Sequence, residues 1–432
     1  MQAALHSVTP AAPPRLLRPP IPAIVQQHAD DAAHLRHLRS VLVRGPHVKL
    51  LQLQRLDDRL EAHLDGLAVA GAYGLARAQE ALERPGCGEV FAALVCALQL
   101  PDEAAVDRLL SLAPVLPEAW RGAVSALGWV SPAQLRERVR GLLASPQPWR
   151  QALAIEACRL HRVDPGPALA AALRQDDALL RAAALRAAGE LGRTDLLPQA
   201  LALLDATPEA ARAACLLGDR ADALRAAELA AFATPAPHAL RSLAVQALDW
   251  LRARDAVRTL AQDPQAVRQL IRGIGWLGDV RLVPWLIERM AEPRLARLAG
   301  EAFSLITGAD LAARDLEREP PEDFQSGPTD DPEDEDVAMD EDDSLPWPDV
   351  DRVQRWWQAE AARFPAAQRV FVGGPVTPAH CLQVLREGSQ RQRALAAQQL
   401  ALLAPGGQLF PVAAPVWRQR RLLDAPGAEP AR

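Results

Sequence analysis

Aromatic residues are scarce in this sequence, at 4% of 432 residues, and Lys49 is its single lysine. Residues that favour strands are also sparse. Alanine and leucine are abundant instead, and both lose little conformational freedom in a helix. The net charge of −6 leaves no basic excess for nucleic acid, and no apolar run approaches the roughly 20 residues that cross a bilayer. We therefore expect a helical protein that inserts into no membrane and binds no nucleic acid.

Cysteine is also rare. The sequence contains five cysteines, an odd number, and they lie far apart. We interpret them as small buried apolar side chains in a reducing compartment. The first 22 residues are rich in proline and lack the continuous apolar core of a signal peptide. We therefore predict a disordered leader over residues 1–22 and a cytoplasmic location. The cysteines are Cys87, Cys96, Cys158, Cys215 and Cys381.

Motifs of catalysis and cofactor binding are missing as well. The sequence contains no phosphate-binding loop, no dinucleotide fingerprint and no nucleophile elbow. His28, His34 and His37 could ligate a metal together, but no further ligand completes a known set, so we interpret them as exposed or capping residues. Cys158 and His161 share helical spacing and are interpreted as structural. We therefore expect no catalytic, cofactor or metal site.

A repeated apolar pattern is what the sequence does contain. Apolar residues at positions i, i+3, i+4, i+7, i+8 and i+11, one face of a helix, recur at steps of 27 to 31 residues. A shorter apolar helix is predicted between successive matches. Two helices per step of about 30 residues are typical of HEAT-like repeats, whose helix pairs stack around a shared core. The matches begin at Val90, Trp120, Trp149, Leu180, Ala210, Leu240, Val267 and Leu295.

This pattern predicts an all-α fold, an α-solenoid of HEAT-like helical repeats over residues 85–308. The residues before the repeats, 23–84, are expected to form a helical N-terminal cap that covers the apolar face of the first repeat. Gly-Pro and other turn signals divide the cap into three helices. These helices are expected over residues 23–44, 48–64 and 67–82.

The composition changes sharply over residues 309–350, which are acidic and rich in proline. Ten of the fourteen residues from Asp330 to Asp343 are acidic, and such a run repels itself and forms no core. The alternating ligands and central glycine of an EF-hand are absent. We predict a solvated linker, with docking of the run on a basic partner or on the chain's own arginines as the alternative.

Residues 351–432 are expected to form a small, mostly helical C-terminal module. An extended piece is predicted over 369–374, followed by helices over 378–387 and 390–403. The chain is then expected to end in a loop that carries Trp417 and the Arg418–Arg421 cluster.

Candidate interaction residues lie at the start of this module and on its last predicted helix. Trp347, Trp356 and Trp357 either anchor the module on the repeats or form a partner-binding hot spot, in which tryptophan and arginine are the dominant residues. Arg391 and Arg393 lie on polar faces of the helix over 390–403.

Glu156 is a further candidate because it occupies the i+7 position, which is apolar in the sister repeats. A carboxylate on that face needs a partner or a shifted ionisation. Either it reaches solvent or an arginine such as Arg150 or Arg181, or it forms a buried polar link or a ligand-binding residue.

Several longer strings resemble an uncharacterised proteobacterial family of HEAT-repeat proteins. The resemblance implies an intracellular accessory protein of the kind that accompanies type VI secretion gene clusters, and it implies no catalytic residue. The strings are residues 27–33, 56–67, 298–308, 345–349, 356–357 and 387–393.

The expected function is that of a non-catalytic scaffold or adaptor for another protein, with an oligomeric state that the sequence leaves open. The alternative is a HEAT-type enzyme, a lyase or hydrolase that acts on a bound partner protein. Acids and histidines that converge in a deep pocket would favour the enzyme, whereas a smooth groove would favour the scaffold.

Overall fold

The computed structural model describes residues 19–100, 102–232, 238–322, 324, 327 and 340–425. These residues form 22 α-helices and almost no strand, and neighbouring helices pack in succession, which confirms the predicted all-α, solenoid-like fold. The chain divides into two compact units. Unit 1 comprises residues up to 37 together with 58–126, and unit 2 comprises residues 38–57 together with 127–432.

The N-terminal part of the chain contains six helices. Within unit 1, α4 packs against α3 and α5, and its face from Val90 to Leu98 is buried. The helices are α1 (Pro22–Leu42), α2 (Leu50–Ala70), α3 (Ala72–Glu80), α4 (Cys87–Gln99), α5 (Glu103–Leu110) and α6 (Pro117–Trp129).

One predicted helix boundary in this part is wrong. The predicted break between residues 64 and 67 is absent, and α2 continues to Ala70, where Gly71 breaks it with a φ of 60°. Gly66 lies inside the helix, where the absence of a side chain makes room for the His28 ring. A β-carbon at this position would come within 2.5 Å of that ring.

The following helices contain the repeated apolar pattern, and the first residue of each of the eight pattern matches lies in an α-helix. Six of them are α8 (Pro148–His161), α10 (Ala178–Leu191), α12 (Pro208–Leu216), α14 (His238–Ala247), α16 (Val267–Leu277) and α18 (Pro293–Thr307). The shorter helices between them are α7 (Pro132–Leu143), α9 (Pro167–Leu173), α11 (Leu197–Leu201), α13 (Asp222–Phe232), α15 (Trp250–Thr259) and α17 (Val283–Arg289).

Within unit 2, each pattern-bearing helix from α8 to α16 packs against the next one, and each also packs on the shorter helix before it. Small residues allow this close approach. A β-carbon on Gly189 of α10 would lie 2.9 Å from the α-carbon of Ala213 on α12. Asp177 caps the start of α10 by accepting from the Leu180 amide, and Gly192 ends that helix in the left-handed conformation.

The C-terminal part of unit 2 contains four more helices and two short strand pairs. Two helices have the predicted bounds, but the predicted final loop is wrong. Pro415 precedes a further helix there, whose Gln419 side chain is buried and donates to the Val412 and Ala414 carbonyls. The helices are α19 (Val350–Glu360), α20 (Pro378–Glu387), α21 (Gln390–Leu403) and α22 (Val416–Leu423). Strands β1 (Glu317–Arg318) and β2 (Trp347–Pro348) pair antiparallel, as do β3 (Val370–Phe371) and β4 (Gly374–Pro375).

Some predictions stay open. Residues 1–18 of the predicted leader and most of the acidic run, 328–339, lie outside the described residues. The predicted module boundaries therefore stay predictions.

Candidate binding site

The C-terminal chain lies across the ends of the repeat helices in unit 2. Arg369 donates to the carbonyls of Gln246 at 2.7 Å, Val245 at 2.8 Å and Leu248 at 3.3 Å, all at the end of α14. The last carbonyls of a helix lack intrahelical donors and carry its negative dipole end, so a cation satisfies both needs. Burial lowers the Arg369 pKa to about 10.

Main-chain donors of the same segment reach the next two helices. The Val370 amide donates to the Gly278 carbonyl at the end of α16, at 2.9 Å, and the Val372 amide donates to the Leu305 carbonyl of α18, at 2.7 Å. Gly278 has a φ of 69°, and a β-carbon there would lie 2.2 Å from the Val370 carbonyl oxygen. Only glycine therefore allows this approach.

A second C-terminal segment, after α21, continues along the earlier helices. The Leu409 amide donates to the Glu190 carbonyl of α10 at 2.9 Å, and Arg162 donates to the Leu409 carbonyl at 2.9 Å. Arg418 of α22 donates to the Gly128 carbonyl at 2.9 Å and to the Leu160 carbonyl of α8 at 3.4 Å. We call these interactions of residues 369–373 and 409–418 the helix-end contacts.

The three predicted tryptophans also contact their own chain. Trp347 of β2 is buried under the Arg297 guanidinium, 4.8 Å from the ring centroid. Trp356 is half-buried with its ring edge-on to that of Phe303 of α18, 5.5 Å away. Trp357 is buried and stacks on the Phe364 ring. Trp347 and Trp356 thus connect the C-terminal part of the chain to α18.

The two predicted arginines of α21 have different environments. Arg391 forms an ion pair with Glu301 of α18, in which its Nη1 atom donates to both carboxylate oxygens, at 2.9 and 2.8 Å. Arg393 is fully buried and donates to the Leu385 carbonyl and to the side-chain oxygens of Gln390 and Gln419. No carboxylate of the described residues pairs with it. Burial lowers the Arg393 pKa to about 10.

Glu156 is 2% exposed and forms a buried polar link between α8 and α10. Its partners are Arg159 at 2.6 Å and Arg186 at 2.7 Å, in place of the expected Arg150 or Arg181. Arg159 also pairs with Glu190 at 2.8 Å. Three arginines around Glu190, foremost Arg159, outweigh its burial and lower the Glu190 pKa to about 2.

The described end of the acidic run docks on arginines of this chain. Asp340 pairs with Arg297 at 2.5 Å, and Asp342 pairs with Arg268 at 2.7 Å. Glu341 accepts from Arg272 of α16 at 2.8 Å. The alternative of docking on the chain's own arginines thus holds for residues 340–342.

A polar cavity of about 740 Å³ lies between α18, α20 and the residues before α2. Two of its carboxylates have cationic partners, since Glu301 pairs with Arg391 and Asp310 pairs with Lys49. His380 is hydrogen-bonded to the Phe371 carbonyl at 2.7 Å. Its acidic and histidine lining comprises His47, His380, Glu301, Asp310, Glu317 and Glu387.

An apolar groove of about 460 Å³ lies over α15, α16 and α17. Three of its apolar residues are buried, and Leu270, Leu282 and Trp285 are half-buried. Three arginines and one aspartate stand at its rim, and the aspartate, Asp279, is already paired with Arg281 at 2.6 Å. The apolar residues that define the groove are Val257, Leu270, Ile274, Leu277, Leu282 and Trp285.

His34 and His37 are exposed, as interpreted from the sequence, whereas His28 is half-buried. His28 contacts His63 of α2, with their Nδ1 atoms 3.2 Å apart. Among the described residues, no group of three or more histidine, cysteine or carboxylate side chains could hold a metal ion. All five cysteines are free thiols. His161 is held structurally, with Nε2 2.7 Å from the Leu127 carbonyl.

Comparisons with known proteins identify no relative: no family model, no curated protein and no solved structure matches this chain. Within the described ranges, no helix has both the length and the apolar content that a membrane crossing requires.

Proposed function

We propose that this chain is a non-catalytic, cytoplasmic scaffold that binds another protein, and that it is a HEAT-repeat accessory protein of type VI secretion. The apolar groove is the observation that carries the scaffold proposal. Open apolar depressions with a half-buried tryptophan are typical of protein-binding sites. The HEAT assignment rests on the repeated apolar pattern and on the sequence resemblance, whereas the secretion context rests on the resemblance alone.

The repeat helices support this proposal because they hold the groove on a rigid support. Leu270 and Ile274 project from α16, which packs between α14 and α18. Trp285 comes from the shorter helix α17, which packs on α18. Rigid presentation lowers the conformational entropy that binding must overcome.

Affinity capture from native cells, followed by mass spectrometry, tests the scaffold. We expect the tagged full-length chain to recover a specific protein, and Trp285→Ala to recover much less of it. Arg136→Glu, on the exposed face of α7, serves as the matched control and should recover as much as the unmodified chain. Recovery of no specific protein would contradict the scaffold, and a partner unrelated to secretion would contradict the secretion context.

The polar cavity favours a second candidate function, an enzyme that acts on the bound partner protein. His47 and Glu387 are exposed titratable residues of its lining, and neither has a charged partner among the described residues. The captured partner would be incubated with the unmodified chain and with Glu387→Gln, and its mass followed. A mass change that depends on Glu387 would favour the enzyme over the scaffold.

A further inference from the structure

The charge at the rim of the apolar groove limits what can bind there. Arg254 and Arg258 of α15 line the groove and have no ion pair with any described residue. Arg281 is paired with Asp279, which is the single carboxylate of the lining. The rim therefore carries three positive charges against one negative charge.

The positions of these arginines suit recognition of carboxylates. The Arg254 and Arg281 guanidinium groups lie over the Trp250 ring, 5.7 and 4.9 Å from its centroid. A guanidinium that rests on an aromatic face is held in place. The edge of Arg254 stays available for a planar, two-pronged bond to a carboxylate, whereas the edge of Arg281 already donates to Asp279. Arg258 is exposed on the same helix, one turn further on.

The floor of the groove suits a row of large apolar side chains. Leu270, Ile274 and Leu277 lie on one face of α16, and residues of α15 and α17 line the groove beside that face. Such a channel receives the apolar face of an amphipathic segment, whose side chains at i, i+3 or i+4 and i+7 fill it. Its volume falls within the roughly 300–1,000 Å³ range of ligand pockets.

We propose that the apolar groove binds a short amphipathic segment of a partner protein, with large apolar side chains flanked by aspartate or glutamate. This inference rests on the proposed function and specifies the chemistry of the partner. The apolar side chains contact Leu270, Leu282 and Trp285, and the flanking carboxylates pair with Arg254 and Arg258.

The chain's own acidic run has a related composition but meets a geometric obstacle. Its described end, residues 340–342, docks on Arg268 and Arg272. Those arginines are about 200° around α16 from Leu270 and Ile274, given 100° per residue. Residues 340–342 are therefore held on the opposite face of α16 from the groove.

Peptide display tests the proposal on the full-length chain. Random twelve-residue peptides would be selected on the immobilised protein, with counter-selection on an Arg254→Glu, Arg258→Glu double variant. We expect enriched peptides to place aspartate or glutamate beside apolar residues spaced three or four apart. Enrichment of basic or uncharged flanks, or no enrichment, would overturn the proposal.

Binding of the best synthetic peptide would then be measured by fluorescence polarisation. The double variant should weaken binding about tenfold or more, since charged and aromatic anchors dominate such sites. Trp285→Ala should weaken it similarly, and the control Arg136→Glu should leave it within about twofold. Thermal unfolding of each variant checks the fold, and the surface double variant keeps the test valid if Trp285→Ala is unstable. Equal binding by the double variant would overturn the proposal.

Two further arms separate this inference from the scaffold proposal. Capture of one native partner by both the unmodified chain and the double variant would uphold the scaffold and overturn the groove assignment. Peptides that bind as expected without any native partner would uphold the groove and contradict the scaffold. A peptide of residues 330–343 that binds as tightly as the best selected peptide would make a second copy the occupant and overturn the partner assignment.

Discussion

His161 shows how a single buried side chain links stability to pH. Burial, followed by the positive charge of Arg418, lowers its pKa to about 4. Its Nδ1 atom is buried without a hydrogen-bond partner, while Nε2 contacts the Leu127 carbonyl. Protonation would place a hydrogen on Nδ1 with no acceptor. The folded chain therefore requires the neutral imidazole.

The His161 pKa predicts a loss of stability in mild acid. The folded pKa of about 4 lies below the ordinary value of 6.5, so the unfolded chain takes up the proton first. The stabilising contribution is complete above pH 6.5 and is lost as the pH falls toward 4. It amounts to about 3 kcal/mol. We expect His161→Gln, whose amide can donate to the Leu127 carbonyl, to remove most of this dependence.

Urea unfolding at pH 7 and pH 4.5 measures the effect. His47→Gln, on an exposed turn, is the control and should retain the pH dependence of the unmodified chain. Equal acid sensitivity of His161→Gln and the unmodified chain would show that other groups cause it.

Arg393 gives a second prediction at the scale of one residue. Its removal leaves the Leu385 carbonyl and two buried glutamine oxygens without donors, although it also relieves the burial of a charge. We expect Arg393→Met to lower the free energy of unfolding by about 3 kcal/mol. The exposed Arg136→Met should change it by less than about 0.5 kcal/mol. Chemical denaturation compares the two variants. An unchanged free energy of unfolding for Arg393→Met would mean that the cost of burying the charge offsets the gain from the hydrogen bonds.

At the scale of elements, glycines at helix ends decide where the C-terminal chain can pack. Gly278 ends α16 and Gly308 ends α18, both with φ of 71° or less in the left-handed region. Val370 and Val372 approach them closely. The same turn that ends each helix therefore makes room for the strand β3 and its neighbours.

A Gly278 substitution tests this close approach. Gly278 is left-handed, with φ 69° and ψ 29°, and a β-carbon there would lie 2.2 Å from the Val370 carbonyl oxygen. Left-handed strain alone costs an alanine about 1–2 kcal/mol. We expect Gly278→Ala to lower the free energy of unfolding by about 2 kcal/mol more than that, because it must also displace Val370. Denaturation and hydrogen exchange of the Val370 amide measure the effect, and a loss no larger than the strain, with unchanged exchange, would contradict the contact.

Element bounds were predictable where local signals were strong. Helices α20 and α21 have the predicted bounds because Thr377 caps the first and Ser389 forms a capping box at the second. The Arg186 partner of Glu156 was not predictable, since it lies 30 residues away and the pairing depends on how α8 and α10 pack. The Arg159 partner was missed although its i+3 spacing on the same helix is a local signal. The role of Arg369 was missed because it too depends on packing between distant elements, although its position beside a predicted extended piece was a weak signal.

At the scale of the whole molecule, the reactivity of the free thiols measures how rarely the folded chain exposes its buried residues to solvent. Burial raises the pKa of Cys96 and Cys215 to about 12 and that of Cys158 and Cys381 to about 11. Only the thiolate reacts with alkylating reagents. The native chain should therefore be nearly inert at neutral pH.

Iodoacetamide labelling at pH 7.5, followed by peptide mass spectrometry, tests this closure. We expect the four buried cysteines to react more than about a hundredfold slower in buffer than in 8 M urea. Cys87, which is half-buried, should react first. Rapid labelling of Cys158 or Cys381 in buffer would show that unit 2 opens readily.

The helix-end contacts have a consequence for how the protein is made. Repeat helices usually stabilise each other through nearest neighbours, so they can fold in order of synthesis. Here α8, α10, α14, α16 and α18 are completed by residues 369–418, which leave the ribosome after all of them. During translation, unit 2 therefore lacks the helix-end contacts, and the ends of its repeat helices are exposed to water and to chaperones. Its final closure is a late event that follows synthesis of α22.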